Sequence, residues 1–221
     1  MSGIRVSAGS SRQCKGRLSE RMADDDNIIG LYERHAQAFD QLRGKNLFEK
    51  PWLDRFAALL PPSGTILDLG CGSGEPIAGH FIARGFRLTG VDSSPSLIEL
   101  ARQRFPDQQW IVRDMRRLPA GRTFNGIIAW HSFFHLSPAD QHAMFPVFAY
   151  LAAPGAALMF TAGHFEGVAM GEFAGEPLYH ASLSRQEYGD LLAANGFKLV
   201  AQVDQDSACG GATVWLAQRH A

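Results

Sequence analysis

Residues 66–75 read ILDLGCGSGE, a short apolar run around one aspartate followed by glycine at alternate positions and a closing glutamate. The apolar part predicts a buried strand, and residues 77–84 read as a helix. Gly70, Gly72 and Gly74 therefore lie in the turn between a strand and a helix. Because glycine lets the backbone approach a ligand closely, this turn predicts a binding site at the start of the helix.

The spacing argues against a dinucleotide as the ligand. The dinucleotide fingerprint needs a third glycine five positions after the first, and that position holds Glu75. Asp92 directly follows the next predicted strand. An acid there can accept hydrogen bonds from two ribose hydroxyls and has few structural reasons to occupy that position. Asp114 and Met115 follow the third strand, and an acid beside an apolar side chain suits an adenine ring with its amino donor. The pattern therefore indicates adenosine without phosphates.

The rest of the chain alternates strands with helices. Predicted strands are 65–69, 87–91, 110–113, 124–130, 156–161, 198–203 and 213–218, and predicted helices are 28–43, 51–60, 77–84, 95–105, 137–152 and 184–194. This order predicts an α/β fold with a mainly parallel sheet covered on both faces. Ligands of such folds bind outside the carboxyl ends of the strands.

The motifs, taken in order, resemble those of class I S-adenosylmethionine-dependent methyltransferases. They are residues 66–74, 90–94, 113–115, 124–130 and 151–156, and the resemblance extends from about residue 28 to the C-terminus. It implies a Rossmann-like three-layer sandwich whose seven-stranded, mostly parallel sheet has an antiparallel last strand, inserted between the fifth and sixth. It also implies S-adenosyl-L-methionine as cofactor and direct in-line transfer of its methyl group to an acceptor.

The resemblance carries cofactor-binding roles to particular residues. By this resemblance Gly70 and Gly72 would flank the methionine moiety, Asp68 would orient the turn or the cofactor amino group, Asp92 and Ser93 would hold the ribose, and Asp114 and Met115 would hold the adenine. Cys71, within the turn, and Glu75, as a contact of the cofactor ammonium, are further cofactor-binding candidates. Ser93 could equally cap the helix that follows, and Glu75 could simply favour a helix N-terminus. Cys71 is expected as a small side chain, not as a reactive thiol.

The helical region 26–62 is expected to form a lid over the cofactor, with Tyr32 and Arg43 in contact with it or packed on the surface. His131, directly after the fourth strand, is a candidate for catalysis or for orienting the cofactor. His164, after the fifth strand, is a second catalytic candidate. His135 is expected to be a packed histidine. The glycine-hinged segment 163–182 is expected to form the wall of an acceptor pocket, or else a structural excursion over the sheet edge.

Composition bounds the remaining choices. The chain has 221 residues, 46% hydrophobic and 19% charged, with a formal net charge of -1. Bulk charge gives no reason to expect nucleic acid or an anionic membrane as partner, and no apolar run approaches the ~20 residues of a membrane span. The three cysteines suggest neither a disulfide framework nor a metal site. A cytoplasmic monomer or homodimer acting on a small molecule is expected.

Residues 1–25, rich in arginine, serine and glycine, are expected to be a disordered or extended leader, with Met22 as an alternative start. Two other functions stay open. A cofactor-binding module without transfer activity is one, because no residue here is an obligatory nucleophile. A methyltransferase acting on a macromolecule is the other, although residues 129–132 read AWHS where nucleic-acid enzymes of this family carry an Asn/Asp-Pro-Pro-aromatic motif.

Overall fold

The computed structural model describes residues 27–44, 46–118 and 121–221. The expected leader, residues 1–25, lies outside this part of the chain. Nine strands are described: β1 (Thr65–Leu69), β2 (Arg87–Asp92), β3 (Gln109–Val112), β4 (Phe124–Ala129), β5 (Ala152–Ala162), β6 (Gly167–Phe173), β7 (Glu176–Ser182), β8 (Phe197–Asp206) and β9 (Ala212–Arg219).

Seven of these strands form the main sheet, in the order β3-β2-β1-β4-β5-β9-β8. The central strand β1 pairs in parallel with β2 and with β4, and β4 pairs in parallel with β5. The last strand, β9, runs antiparallel between β5 and β8. The expected fold class and the insertion of the last strand are both confirmed.

Helices cover both faces of this sheet. They are α1 (27–34), α2 (Ala36–Arg43), α3 (Lys50–Ala57), α4 (Ile77–Ala83), α5 (Pro95–Arg104), α6 (Pro138–Leu151) and α7 (Arg185–Ala194). The core on one face includes residues of α6 and α7, and the core on the other face includes residues of α3, α4 and α5. None of the helices in the described ranges is long and apolar enough to cross a membrane.

Local signals set several helix ends. Ser184 and Glu187 form a capping box at the start of α7, and Ser137 caps α6 by accepting a hydrogen bond from the Asp140 amide. The predicted helix 28–43 is divided, because His35 adopts a turn conformation between α1 and α2.

The segment 163–182 contains regular structure that the sequence did not predict. Strands β6 and β7 form an antiparallel hairpin, a two-stranded sheet separate from the main one. A third apolar cluster joins this hairpin to α1 through Leu31, Phe173, Leu178 and Tyr179, among others. The hairpin and α1 therefore pack together beside the carboxyl ends of the parallel strands.

Candidate active site

The glycine turn after β1 is closed in from two sides. Gly70 has φ +71°, and a Cβ atom there would lie 2.2 Å from the Cβ of Ser132. Gly72 has φ +55°, and its Cβ would lie 3.2 Å from a ring carbon of Phe39. The Ser132 hydroxyl donates to the carbonyl oxygen of Leu69 at 2.6 Å, which holds the β4 end against the turn. Only glycine fits these two positions.

Two cavities meet at this turn, and both are lined by Tyr32, Phe39, Gly70, Gly72, His131 and His135. The first, here called the β2-side cavity, extends along the ends of β2 and β3 past Asp92, Ser93, Asp114 and Met115. The second, the β4-side cavity, extends past Asp68, Trp130 and the hairpin residues Leu178 and His180. Their empty volumes, counting space open to solvent, are about 760 and 790 Å³. Each is of the size that small-molecule sites usually have.

In the β2-side cavity, Asp92 already has structural partners. Its two carboxylate oxygens accept hydrogen bonds from the amides of Gly72 and Ser94, each at 2.9 Å. We expected an acid at this position to have little structural role, and this expectation was wrong, because Asp92 links the glycine turn to the start of α5. Burial raises the pKa of Asp92, although these amides oppose the shift.

Capping does not explain Ser93. Ser94, the next residue, caps α5 by accepting a hydrogen bond from the Leu97 amide at 3.2 Å. Ser93 lines the β2-side cavity instead. The helix-capping role considered for Ser93 is therefore performed by Ser94.

Asp114 is also engaged by the protein. Arg116 donates to its carboxylate from Nε and from a terminal nitrogen, at 2.9 and 2.6 Å, and its backbone amide adds a third bond at 2.9 Å. Burial raises the pKa of Asp114, but these bonds to Arg116 outweigh it, so the net shift is downward. The Asp114 carboxylate is thus held ionised and oriented at the cavity wall, beside Met115.

Two acids hold helices α1 and α2 against the rest of the domain, and the sequence analysis did not identify either acid. Glu33 of α1 accepts hydrogen bonds from the hydroxyls of Ser94 and Ser96 at 2.5 and 2.7 Å, at the N-terminus of α5. Asp40 of α2 forms a two-bond ion pair with Arg104, with both distances 2.6 Å. Helices α1 and α2, which are part of the expected lid, are therefore held against α5, and Tyr32 of α1 lies in the walls of both cavities.

In the β4-side cavity, Asp68 has no hydrogen-bond partner within the described ranges, although its residue is only 3% exposed. Burial, and then the charge of Asp92, raise its pKa to about 7, while Arg43 opposes the shift. An acid buried in this way is costly unless a cation or a donor meets it. The carboxylate therefore marks a place for a positively charged group.

Arg43 reaches the same cavity from α2 and pairs with Glu49, a fully buried carboxylate that the sequence did not single out. Glu75 and Cys71 also line this cavity. Burial, Asp68 and Asp92 raise the pKa of the Cys71 thiol well above its ordinary value, so the thiol stays protonated, in agreement with its expected role as a small side chain.

Three histidines surround the β4-side cavity. His135 is buried and uses both ring nitrogens, since Nδ1 donates to the Tyr179 carbonyl at 2.8 Å and Nε2 accepts from the Tyr32 hydroxyl at 3.0 Å. Burial and its histidine neighbours lower its pKa to about 3. His135 is thus the packed residue expected, and it also holds the lid to the hairpin.

His131 occupies the position expected for it, at the end of β4. Its backbone has φ +52°, and its amide donates to the Thr161 hydroxyl at 2.8 Å, so its ring is directed without a side-chain hydrogen bond among the described residues. Burial by surrounding protein, followed by Arg43 and His180, lowers its pKa. Since the side chain also reaches the open cavity, solvent there offsets part of this effect.

His164 does not join this group. It is exposed where the chain enters the hairpin, with its ring against Phe165, and it is absent from both cavity linings. His180 of β7 lines the β4-side cavity instead. The alternation of the strand EPLYHAS puts Leu178 and His180 on one face, a signal that could have identified His180 from sequence. No set of three or more potential metal-ligating side chains is grouped in the described ranges.

Known families and proteins resemble this chain most strongly around the glycine turn. The family described as "Methyltransferase domain" matches residues 66–155. A putative methyltransferase of Bacillus subtilis is 34% identical over 91 residues, which is 40% of this chain and 36% of that protein. The trans-aconitate 2-methyltransferase of Escherichia fergusonii is 36% identical over 90 residues, which is 40% of this chain and 35% of that enzyme. The matches thus span about a third of the length of these curated relatives.

Solved structures resemble the whole chain. A 1,6-didemethyltoxoflavin-N1-methyltransferase of Burkholderia thailandensis, solved with 1,6-didemethyltoxoflavin and S-adenosylhomocysteine, has a TM-score of 0.70 and 17% identity, covering 99% of this chain and 95% of that one. An S-adenosylmethionine-bound amino pentose methyltransferase of Micromonospora echinaspora has a TM-score of 0.64 and 20% identity, covering 95% and 100%. At such identities the likeness shows a common fold. Together with the matched segment, it supports the resemblance to the class I S-adenosylmethionine-dependent methyltransferases.

Proposed function

We propose that this protein binds S-adenosylmethionine across the glycine turn and transfers its methyl group to a small-molecule acceptor in the β4-side cavity. The observation that carries the proposal is the pair of cavities joined at Gly70 and Gly72, with oriented acids in one and an unpartnered buried acid in the other. The cofactor has matching parts, since its adenosine carries hydroxyl and amino donors and its methionine carries an ammonium.

Each part of the cofactor has a place in this proposal. The ribose and adenine lie in the β2-side cavity against Asp92, Ser93, Asp114 and Met115. The methionine ammonium meets Asp68, and the carboxylate meets Arg43, which lines the same cavity. Charge-assisted contacts of this kind are about twice as strong as neutral ones.

The reacting methyl then points into the β4-side cavity, beyond the turn. Transfer needs the acceptor atom within about 3 to 3.5 Å of the methyl carbon, opposite the departing sulfur. His131 lines both cavities, which places its ring between donor and acceptor in this proposal. The helices α1 and α2, with Tyr32 and Phe39 over the turn, shield the reacting methyl group from part of the solvent.

A binding experiment tests the donor half of the proposal. S-Adenosylhomocysteine and 5′-methylthioadenosine share the adenosine and the sulfur, but only the former has the amino-acid group. We expect Asp68→Asn to weaken S-adenosylhomocysteine by roughly 10- to 100-fold, the loss of one charge-assisted contact, as measured by calorimetric titration. Its affinity for 5′-methylthioadenosine should match the wild type. Equal weakening of both ligands would contradict the position given to Asp68.

A turnover experiment tests the acceptor half. Wild-type protein with S-adenosylmethionine is incubated with a cell extract separated into low-mass and macromolecular fractions, and S-adenosylhomocysteine is quantified. We expect its formation to depend on the low-mass fraction. Formation only with the macromolecular fraction would favour a macromolecular acceptor. Tight cofactor binding with no turnover in either fraction would favour a binding module.

The names of the trans-aconitate relatives raise a tricarboxylate as one acceptor. The charges in the β4-side cavity do not favour it here. Arg43 is the single lysine or arginine that lines this cavity in the described ranges, and it is paired with Glu49. Asp68 and Glu75 would repel a carboxylate.

A further inference from the structure

His180 is a histidine of the β4-side cavity that neither the sequence nor the family match singles out. It lies on β7, and its ring stacks on His135 at 5.0 Å and meets the Phe134 ring edge-on at 5.0 Å. No described residue hydrogen-bonds to either nitrogen of its ring, and the residue is partly exposed. Its nitrogens therefore remain available to a molecule in the cavity.

The contrast with His135 separates a structural role from a chemical one. Both ring nitrogens of His135 form hydrogen bonds, with Tyr32 and Tyr179, so neither is available to a ligand. His131 and His180 use neither ring nitrogen for a hydrogen bond within the described ranges, and a charge on His180 lowers the pKa of His131. Burial lowers the pKa of His180, which keeps its ring neutral and able to accept a proton at neutral pH.

The remaining walls of the cavity are flat and carry little positive charge. Trp130 and Phe134 present aromatic rings beside His131 and His180, and Leu178 adds apolar surface. Its one guanidinium, that of Arg43, is in an ion pair, while Asp68 and Glu75 are acidic. A multiply charged anion would lose its hydration here without compensating cations, which disfavours its binding. A flat uncharged ring would stack on these walls.

Resting on the proposed function, we infer that the acceptor is a flat, uncharged ring bearing an O–H or N–H group, and that His180 takes its proton during transfer. The lone pair of the acceptor oxygen or nitrogen attacks the methyl carbon. The carbon–sulfur bond breaks, and its electron pair stays on sulfur, which becomes a neutral thioether. The proton of the acceptor passes to a ring nitrogen of His180, and the imidazolium then releases it to solvent.

Binding tests the acceptor class. With wild-type protein saturated by S-adenosylhomocysteine, 7-hydroxycoumarin, theophylline and trans-aconitate are titrated separately and followed by calorimetry. We expect at least one of the two ring compounds to bind 10-fold or more tightly than trans-aconitate. Tighter or equal binding of trans-aconitate, or no binding of either ring compound, would overturn the inference. Failure of S-adenosylhomocysteine itself to bind would instead overturn the proposed function.

Turnover tests the role of His180 with whichever ring compound binds. We expect His180→Asn to lower the rate of S-adenosylhomocysteine formation by about 100-fold or more, as for loss of a general base. The acid limb of the kcat/KM profile against pH should disappear, added imidazole should restore part of the rate to His180→Ala, and affinity for S-adenosylhomocysteine should stay unchanged. The exposed His142 of α6 gives a matched control, and His142→Asn should keep the wild-type rate.

Three results would overturn the role of His180. The first is an unchanged rate and pH profile in His180→Asn. The second is a loss of rate accompanied by an equal loss of cofactor affinity, which a structural role would produce. The third is the absence of turnover by the wild type with a ring compound that binds.

Discussion

The two cavities on either side of the glycine turn are built on different principles. In the β2-side cavity the acids are fixed by the protein, Asp92 by two backbone amides and Asp114 by Arg116. In the β4-side cavity Asp68, His131 and His180 have side chains without hydrogen-bond partners in the described ranges. The β2-side cavity is therefore preorganised for one ligand. The β4-side cavity has polar groups that are free to pair with a charged ligand group or to accept a proton from it. This division suits a transferase in which the donor is bound before chemistry occurs on the other side.

The largest expected effect comes from Gly70→Ala, which alters the turn that both cavities share. Its Cβ would meet Ser132 at 2.2 Å and force an L side chain to φ +71°. We expect the free energy of unfolding to fall by roughly 2–4 kcal/mol and S-adenosylhomocysteine binding to be lost. Denaturant titration and calorimetry measure the two effects.

Gly189→Ala is the matched control, because a Cβ added to this helical glycine would meet no atom within 4 Å. It should stabilise α7 by about 0.5–1 kcal/mol and leave binding unchanged. Wild-type affinity in Gly70→Ala would show that S-adenosylhomocysteine does not bind across the shared turn.

An effect of intermediate size should come from the β4-side cavity, where protonation of Asp68 makes the affinity for S-adenosylhomocysteine depend on pH. Asp68 has a pKa of about 7 in the ligand-free protein, so it takes up a proton as the pH falls below that value. The protonated form cannot pair with an ammonium, and affinity for S-adenosylhomocysteine should therefore fall by up to about tenfold per pH unit below pH 7.

Calorimetric titrations between pH 5 and 8 measure this dependence. 5′-Methylthioadenosine, which lacks the ammonium, should bind with the same affinity across the range, and Asp68→Asn should show no dependence for either ligand. A parallel pH dependence of both ligands in the wild type would place the titrating group on the β2 side.

The smallest expected effect is confined to the β2 side. Glu33 lies at the N-terminus of α5, where a negative charge contributes about 0.3–1 kcal/mol. Glu33→Gln keeps the shape but removes the charge, so we expect the lid to open more readily. The dissociation rate of S-adenosylhomocysteine, measured by stopped-flow competition, should rise roughly 2- to 5-fold, the equivalent of that energy. Glu99→Gln on the exposed side of α5 should leave the rate unchanged, and an equal increase there would contradict the assignment.

Sequence reasoning predicted the main sheet because local signals set it. The apolar strands, the glycine turn and the caps at Ser137 and Ser184 each act over a few residues. The order and direction of the strands followed from the family resemblance. The β6–β7 hairpin was missed because β6 is mostly exposed and buried residues in β7 stand in adjacent pairs, so neither strand shows a regular apolar alternation.

Side chains that act across long sequence separations were the hardest to predict. Asp68, Asp92 and Asp114 follow their own strands, so their positions were readable. Glu33 meets Ser94 and Ser96, and His180 meets His135, only after the chain has folded. Nothing local to Glu33 distinguishes it from a solvated charge on a helix. His164 was predicted to be a catalytic candidate because it follows a strand, but the structure places it at the surface.

The buried carboxylate of Asp68 also links the lifetime of the folded chain to its ligand. An unfolded aspartate has a pKa near 3.9, whereas this one has a pKa of about 7, so the ligand-free protein loses stability as the pH rises through that interval and is least stable above it. A bound ammonium reverses that loss, and tight ligands further stabilise the folded state by mass action. At the pH of most cells, chains without cofactor should therefore unfold more often and be degraded sooner.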